Sequence, residues 1–462
     1  MPKRSVLPFV STALLAGAVA VLARGQQPPA PQTPPAVQQP QEVAISISGE
    51  RGSPPRIAVP DFVARSSDAD AVALGRTLAQ VLWDDLEFER EFYLIPRDTY
   101  ASIPQARTPS DVPFDRWREL GADGVVVGFV QKTGNSLTVQ VRLMGVKDRQ
   151  SVFQKEYSGA ATNPRLYAHT IADDVHQQQR GLRGVARTKL TFSSDRDGER
   201  MAGPIEGRNI KEIYIADYDG ANQRRITVNR ALNIFPVWSA DGRAIAYTSY
   251  RRGFPDVFVS YIYQGTFEQP AKGTDRVHNW LSSWSPDGTR IAFTSNREGN
   301  AEIFVMNADG TGLRRLTNHP AVDSTPTWSP AGNEVAFTSD RSGTPQIYVV
   351  SADGGAPRRI TAESYADRPT WAPAPYNEIA YSARSGAGFD IRIYEVAEGR
   401  TRQLTFGEGS NESPAYAPNG RHLAFTSNRR GGKSQVFVVG RDGRGLKQIT
   451  TSGNNYTPDW SR

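Results

Sequence analysis

The chain has 462 residues, no cysteine and a formal net charge of +6. The absence of cysteine excludes disulfides and every metal site that needs a thiolate ligand. The arginines are scattered, with no run of five or more cations, so the charge predicts a solvated surface and not a nucleic-acid-binding face.

The first 23 residues have the organisation of a signal peptide. A Lys-Arg start precedes an apolar stretch and small residues, with Val21 and Ala23 placed for cleavage. An uncleaved anchor is the alternative, because the apolar stretch is nearly long enough to span a bilayer. We expect cleavage, with no membrane span thereafter. Residues 24–41 are rich in Pro and Gln, which predicts an extended linker.

Residues 42–184 have the pattern of a smaller α/β domain. Alternating segments predict strands, and an amphipathic helix is predicted at 68–92, where apolar residues recur at helical spacing. The apolar positions of this helix are Val72, Leu78, Leu82 and Leu86. A long hairpin is predicted to turn at Gly134. A last helix is predicted to begin after Asn163, because Pro follows it at the first helical position.

Residues 185–462 contain an internal repeat. An aromatic residue recurs every 43 to 46 residues, at Trp238, Trp284, Trp328, Trp371, Tyr416 and Trp460. Each unit holds four alternating segments joined by Ser-Pro-x-Gly or Asp-Gly sequences, which are typical of tight hairpins. Four-stranded repeats of about 40 to 45 residues predict β-propeller blades. The first unit lacks its first segment and residues 457–461 supply one, so we predict a mainly β fold with six blades, closed by the C-terminal strand.

The sequence offers weak candidates for catalysis or metal binding. It contains no G-x-S-x-G nucleophile motif and no H-E-x-x-H metal motif, and its five histidines show no ligand spacing. The aspartates of the Asp-Gly turns could be pictured as calcium ligands, but such residues usually satisfy the turn backbone. We therefore predict no enzyme activity, no metal and no cofactor.

An arginine recurs in the loop that follows the second strand of the units. The positions are Arg196, Arg251, Arg297, Arg341 and Arg429, with Arg384 one residue early in the fifth unit. These residues form either a ligand-facing ring or a brace within the blades, and their periodicity favours the brace. The loops before the recurring aromatic residues do not repeat, and binding residues concentrate in loops on a rigid scaffold.

From Glu42 to the C-terminus, the chain resembles the TolB family. The resemblance is carried by EVAISISG, RIAVPDF, GADGVVVGFV, RLYAHTIADDV, EIYIADYDGANQRRIT, WSPDGTRIAF, TPTWSP and TPDWS. It implies a non-enzymatic periplasmic adaptor of the Tol-Pal system. Such an adaptor binds the lipoprotein Pal through the propeller mouth and supports outer-membrane integrity and constriction during cell division.

The resemblance also implies residues of the Pal-binding site. His278 and Asn279 match the family's His-Asn pair, and Ser324 and Thr325 stand where the family has Thr-Glu. Without the resemblance, His278 would be expected to cap the turn of its own loop.

A second contact, with TolA, is implied for the N-terminal segment at Glu42, Val43 and Ile45. The linker at 24–41 precedes these residues, whereas the family's segment begins at or near the mature N-terminus, so this contact stays open. The alternatives to an adaptor are a periplasmic hydrolase, a small-ligand-binding propeller, or a TolB-like paralogue that serves another envelope complex.

Overall fold

The structure is a computed structural model that describes residues 46–47, 53–200 and 209–462. The predicted signal peptide and linker lie outside the described residues, and so do Glu42, Val43 and Ile45 of the predicted TolA-binding segment. No helix in the described ranges is long and apolar enough to cross a bilayer.

The first part of the described chain is a mixed sheet with helices. Its strands are β1 Arg56–Ala58, β2 Val63–Ala64, β3 Tyr93–Leu94, β4 Gly124–Thr133, β5 Ser136–Gly145 and β6 Ser151–Ala160. Its helices are α1 Ala69–Glu89, α2 Phe114–Glu119 and α3 Pro164–Arg180, with short 3-10 turns at Arg97–Tyr100 and Pro109–Asp111. The strand order is β3-β1-β4-β5-β6, and β2 also pairs with β4. Strand β1 is parallel to both neighbours, whereas β4, β5 and β6 are antiparallel.

Helix α1 follows its sequence pattern closely. Asp68 caps its start by accepting a hydrogen bond from the backbone N–H of Asp70 at 3.2 Å. Leu78, Leu82 and Leu86 are buried as predicted, but Val72 is 37% exposed and does not belong to the buried face. The helix ends earlier than predicted because Arg90 takes a left-handed conformation with φ 60°, which stops the helical hydrogen bonding.

Six four-stranded antiparallel sheets follow, as the repeat predicts. Blade one holds β7 Lys189–Ser194, β8 Glu212–Asp217 and β9 Arg224–Arg225; blade two β10 Asn233–Trp238, β11 Ala244–Ser249, β12 Asp256–Tyr261 and β13 Thr266–Glu268; blade three β14 Asn279–Trp284, β15 Arg290–Glu298, β16 Asn300–Asn307 and β17 Arg314–Arg315. Blade four holds β18 Asp323–Trp328, β19 Glu334–Ser339, β20 Gln346–Ser351 and β21 Arg358–Arg359; blade five β22 Ala366–Trp371, β23 Glu378–Ser385, β24 Gly388–Glu395 and β25 Arg400–Gln403; blade six β26 Asn411–Tyr416, β27 His422–Ser427, β28 Gln435–Gly440 and β29 Lys447–Gln448.

The C-terminal strand β30, Asn455–Trp460, completes blade one. It pairs antiparallel with β7, with Asn455 opposite Ser194 and Trp460 opposite Leu190. The predicted closure of the ring is therefore present. Because β30 pairs with β7, the inner edge of β7 is not left unpaired, and an unpaired edge could template aggregation.

The helical part packs on the tight-turn end of blades one and six. Arg421, in the Pro-x-Gly turn of blade six, places Nη2 2.5 Å from Glu89 Oε2 at the end of α1. Arg90 donates to Asp442 in the Asp-Gly turn of the same blade, at 3.0 Å. Because strands alternate direction, the longer loops lie at the opposite end of the blades. That end is the candidate partner face.

A buried polar network joins the two parts at blade one. The Asp85 carboxylate on α1 accepts a hydrogen bond from Tyr218 Oη at 2.6 Å, and its other oxygen lies 2.8 Å from His169 Nδ1 on α3. Burial lowers the pKa of His169, but its contacts with Asp217 and Asp85 outweigh that effect and raise it to about 9. The protonated imidazole thus bridges a helix of the α/β part and a propeller strand.

Candidate partner-binding face

The innermost strand of every blade carries a β-bulge where it reaches the loop end of the ring. The bulged residues have φ between 50° and 56°, and they are Phe235, Leu281, Thr325, Arg368, Ser413 and Thr457. A left-handed conformation costs a non-glycine residue about 1 to 2 kcal/mol, so neighbouring contacts must hold it. These six residues line a cavity of about 140 Å³ that we call the channel mouth. Thr325, a predicted site residue, is one of them.

Hydroxyl groups from the preceding blade hold several of these bulges. The backbone N–H of Leu281 donates to Thr248 Oγ1 at 3.1 Å, and that of Thr457 donates to Thr426 Oγ1 at 3.0 Å. Ser413 makes the same contact to a serine of blade five. The channel mouth is therefore a preorganised rim in which each blade positions the next.

Arg368 crosses the channel mouth. Its guanidinium lies over the ring of Phe235, with 4.7 Å from Cζ to the ring centroid. The two residues belong to blades five and two, which are opposite each other in a ring of six. The Asp367 carboxylate accepts from the backbone N–H of Arg368 at 2.6 Å and from Thr338 Oγ1 at 2.9 Å. Aligning the third residue of each innermost strand would have revealed Arg368 in the sequence, because it is the only charged residue among the six.

His278 lies on the same face, in the loop that enters blade three. Its backbone N–H donates to Asn296 Oδ1 at 2.7 Å, and its ring Nε2 lies 3.1 Å from the Asp275 carbonyl oxygen. The ring stacks on Phe254 with centroids 6.3 Å apart. His278 therefore caps its own turn, as the sequence alone suggests, and its half-buried ring still reaches the surface.

Asn279 does not reach the surface. Its side chain is fully buried, donates to Asp256 Oδ1 at 2.8 Å and accepts from Arg297 Nη2 at 2.9 Å. Equivalent residues occupy this position in other blades: Asn233, Asp323, Asn411 and Asn455. The contact role predicted for Asn279 is therefore corrected to a positioning role, because the residue is part of the repeat and holds the strand that His278 precedes.

The recurring arginines act within their own blades, as their periodicity indicates. In four blades the guanidinium joins a serine at the end of the second strand to the first residue of the innermost strand. These four are Arg196, Arg297, Arg341 and Arg429. The other two, Arg251 and Arg384, lie over aromatic rings of their own blades.

Three exposed apolar side chains lie in loops at the same end of the ring as the channel mouth. Val228 and Phe406 are 74% and 73% exposed, and Val322 is 47% exposed. Each lies in a loop that enters an innermost strand, as His278 does. Apolar residues grouped on one rigid face are typical of protein-binding surfaces.

The tight-turn end of the channel widens into a second cavity of about 330 Å³. The recurring aromatic residues line it together with Asp459, whose carboxylate accepts from the Trp238 backbone N–H at 2.7 Å. Burial raises the pKa of Asp459 to about 6. Among the described residues, no group of three or more His, Asp and Glu side chains is arranged to hold a metal ion.

Comparisons with known proteins point to one family. A model of the TolB amino-terminal domain matches residues 43–152, and a model of the TolB β-propeller domain matches residues 177–462. The chain belongs to the TolB family.

Individual TolB relatives match parts of the chain. The Tol-Pal system protein TolB of Anaeromyxobacter dehalogenans is 34% identical over 294 residues, 63% of this chain and 64% of that protein. That of Desulfosudis oleivorans is 34% identical over 208 residues, 45% of each. The chain thus spans about half the length of the curated relatives it matches. The crystal structure of TolB from Acinetobacter baumannii shares the fold, with a TM-score of 0.74 over 88% of this chain and 97% of that chain at 24% identity.

Proposed function

We propose that this TolB-family protein is a non-enzymatic periplasmic adaptor of a Tol-Pal-type envelope system. It binds a Pal-like lipoprotein at the channel mouth and thereby supports outer-membrane integrity and constriction during cell division. The observation that carries the proposal is the character of the loop end of the ring. It is rigidly braced, it bears exposed apolar residues, and the α/β part packs on the opposite end.

The proposed contact surface consists of His278, Ser324, Thr325, Val228 and Phe406. Thr325 Oγ1 lies 2.6 Å from Thr338 Oγ1, so its position is set before any partner arrives. Preorganised side chains lose little entropy on binding, which favours affinity. Asn279 and the blade arginines support this surface from beneath.

Isothermal titration calorimetry with the Pal-like domain of the same organism tests the site. Interface energy concentrates in a few residues, so His278→Ala should weaken binding by about 1 to 2 kcal/mol, a factor of about 5 to 30. Phe406→Ala should act in the same direction. The matched control is Tyr263→Ala, because Tyr263 is 80% exposed on the opposite, tight-turn end of the ring; it should bind as wild type.

Two results would contradict this assignment. One is wild-type affinity in both mouth variants, and the other is a loss that is matched by unfolding in a thermal melt. Asn279→Ala separates contact from support, since it should lower stability as well as affinity.

The proposed contact with TolA belongs to the N-terminal segment at Glu42, Val43 and Ile45. A protein lacking residues 42–49 should lose binding to TolA in a pull-down while keeping its affinity for the Pal-like domain. Equal retention of TolA by the two proteins would remove this part of the proposal.

A further inference from the structure

The contacts between adjacent blades, which we call seams, follow one rule. A carboxylate or amide side chain near the start of the third strand of one blade meets the first residue of the innermost strand of the following blade. At four of the six seams that residue is an asparagine whose Nδ2 donates across the seam. The pairs are Asn233 to Glu212 at 2.8 Å, Asn279 to Asp256 at 2.8 Å, Asn411 to Asp390 at 3.0 Å and Asn455 to Gln435 at 2.9 Å. A fifth seam has Gln346 and Ala366 at these positions.

The seam between blades three and four breaks this rule. Glu302 occupies the carboxylate position, and Asp323 stands where the other seams with a carboxylate have asparagine. Both side chains are fully buried. Ionised Asp323 has no hydrogen to donate, and its Oδ1 is buried and accepts no hydrogen bond from any described residue. The Asp323 carboxyl group lies within hydrogen-bonding reach of Glu302, and two adjacent buried carboxyl groups ionise together only at high cost, which favours one shared proton.

The surrounding donors decide which carboxyl group holds the proton. Glu302 accepts from Arg315 Nη2 at 2.8 Å, from the His319 backbone N–H at 2.6 Å and from Thr317 Oγ1 at 2.5 Å. Although burial opposes ionisation, these hydrogen bonds hold the pKa of Glu302 below its usual range.

Asp323 is supported on one side only. Its Oδ2 accepts from Arg341 Nη2 at 2.7 Å, and Ser339 also faces the carboxyl group. Burial raises the pKa of Asp323 although these two residues oppose the shift. Thr317 has given its single hydroxyl hydrogen to Glu302, so Oδ1 of Asp323 is the oxygen left to carry the proton.

The other charged groups that face the pair are few. Arg315 reaches it from β17 and Arg341 from the loop after β19. Glu298 lies behind Arg315, 2.8 Å from its Nη1. The His319 ring points elsewhere, because its Nδ1 accepts from the Ala321 backbone N–H at 3.1 Å.

We propose that Asp323 is a proton switch that is protonated on Oδ1 and donates a hydrogen bond to Glu302. Loss of this proton from Asp323 loosens the seam and weakens partner binding at the adjoining Ser324–Thr325 segment. Asp323 is the first residue of β18, so any shift of this residue moves the mouth residues that follow it directly. The binding half rests on the proposed function, whereas the seam half does not.

The sign of the effect follows from proton linkage. The folded protein keeps a proton that the unfolded chain releases near pH 4, so stability falls as pH rises toward the folded pKa. Asp323→Asn supplies the amide donor that the other seams use and needs no proton. Its thermal midpoint should match wild type at pH 5 and exceed it by about 2 °C at pH 8, which is the size expected for a change of one to two hydrogen bonds in a chain of this length.

Differences between variants isolate the seam from other titrating groups, because distant sites contribute additively. Glu302→Gln also removes the shared proton and should flatten the pH profile in the same way, so the test does not depend on one variant folding. Asn411→Asp gives the converse test. It places a second acid pair against Asp390, and it should add a pH-dependent loss of stability that wild type lacks at that seam.

Infrared spectroscopy reads the proton directly. Glu89 and Asp459 also have raised pKa values and contribute protonated carboxyl bands to both proteins, so the readout is the difference spectrum. Wild type minus Asp323→Asn at pH 6 should contain the carbonyl band of one further buried protonated carboxyl group. Parallel pH profiles for wild type, Asp323→Asn and Glu302→Gln, or the absence of a carbonyl band from the difference spectrum, would overturn the seam proposal.

Binding of the Pal-like domain tests the second half. Wild-type affinity should fall about tenfold between pH 5.5 and pH 8, and that of Asp323→Asn should not. If the melting profiles diverge as expected but both proteins keep equal affinity at every pH, the switch does not regulate binding. If neither protein binds, the proposed function fails while the melting profiles still decide the seam.

Discussion

Replacing Trp460 by alanine tests whether the last strand carries the stability of the ring. Trp460 is 3% exposed and belongs to the same hydrophobic cluster as Leu190 and Phe192 of β7. Its indole Nε1 donates to Thr188 Oγ1 at 2.6 Å. A buried Trp→Ala substitution costs about 3 to 5 kcal/mol. Since Thr188 keeps its own hydrogen bond to the Val185 carbonyl oxygen, no orphaned hydroxyl adds to that cost.

Equilibrium urea denaturation followed by circular dichroism measures the effect. The urea midpoint of Trp460→Ala should fall while the dependence of the unfolding free energy on urea concentration stays unchanged. The midpoint of Trp460→Phe should lie between those of Trp460→Ala and wild type, because Phe keeps most of the buried area. Tyr263→Ala is the matched control, and an exposed aromatic should change stability by no more than about 0.5 kcal/mol.

A truncated protein that ends before Asn455 should be destabilised further than Trp460→Ala, because it leaves the inner edge of β7 unpaired. An unchanged midpoint in either protein would refute the reasoning, since it would mean that β30 is a dispensable tail and that blade one is stable without it.

Three further predictions concern the α/β part and its contact with the propeller. Burial raises the pKa of Glu89 to about 8 although Arg421 opposes the shift, so Glu89 is ionised at pH 9 and neutral at pH 6. In urea denaturation, Arg421→Met should lower the free energy of unfolding by about 3 kcal/mol at pH 9 and by clearly less at pH 6. His169 has a raised pKa of about 9, so the contribution of its protonated ring to stability is complete below about pH 6.5 and is lost as pH rises toward 9. In His169→Gln, the melting temperature should therefore depend less on pH over that range. Amides 42–49 should exchange hydrogen faster than that of Ile57, and equal protection would argue for a permanent strand.

Periodic features were predictable from the sequence because they are local. The interval between aromatic residues, the hairpin turns and the spacing of Leu78, Leu82 and Leu86 each depend on residues close together in the chain, and each predicted its element. Closure by β30 was also predictable, because the first repeat lacks one segment and the C-terminus supplies it. The brace role of arginines such as Arg341 followed from their periodicity.

The individual site residues were harder to predict, because exposure depends on what surrounds a side chain. The sequence shows that His278 and Asn279 are adjacent, yet one reaches the surface and the other is buried against Asp256 and Arg297. His278 ends the loop and Asn279 is the first residue of β14, and only the packed neighbouring blade decides which of these two adjacent side chains faces the interior.

The sequence by itself determined the number of blades, the way the ring closes and the family, because repeats and motifs are written in the order of the residues. Only the tertiary structure decided that the α/β part covers the tight-turn end, that Arg368 spans the channel mouth to Phe235, and that Asp323 meets Glu302. The physical reason is that these contacts cross between blades or between the two parts of the chain, and a blade's sequence does not record which groups the closed ring brings against it.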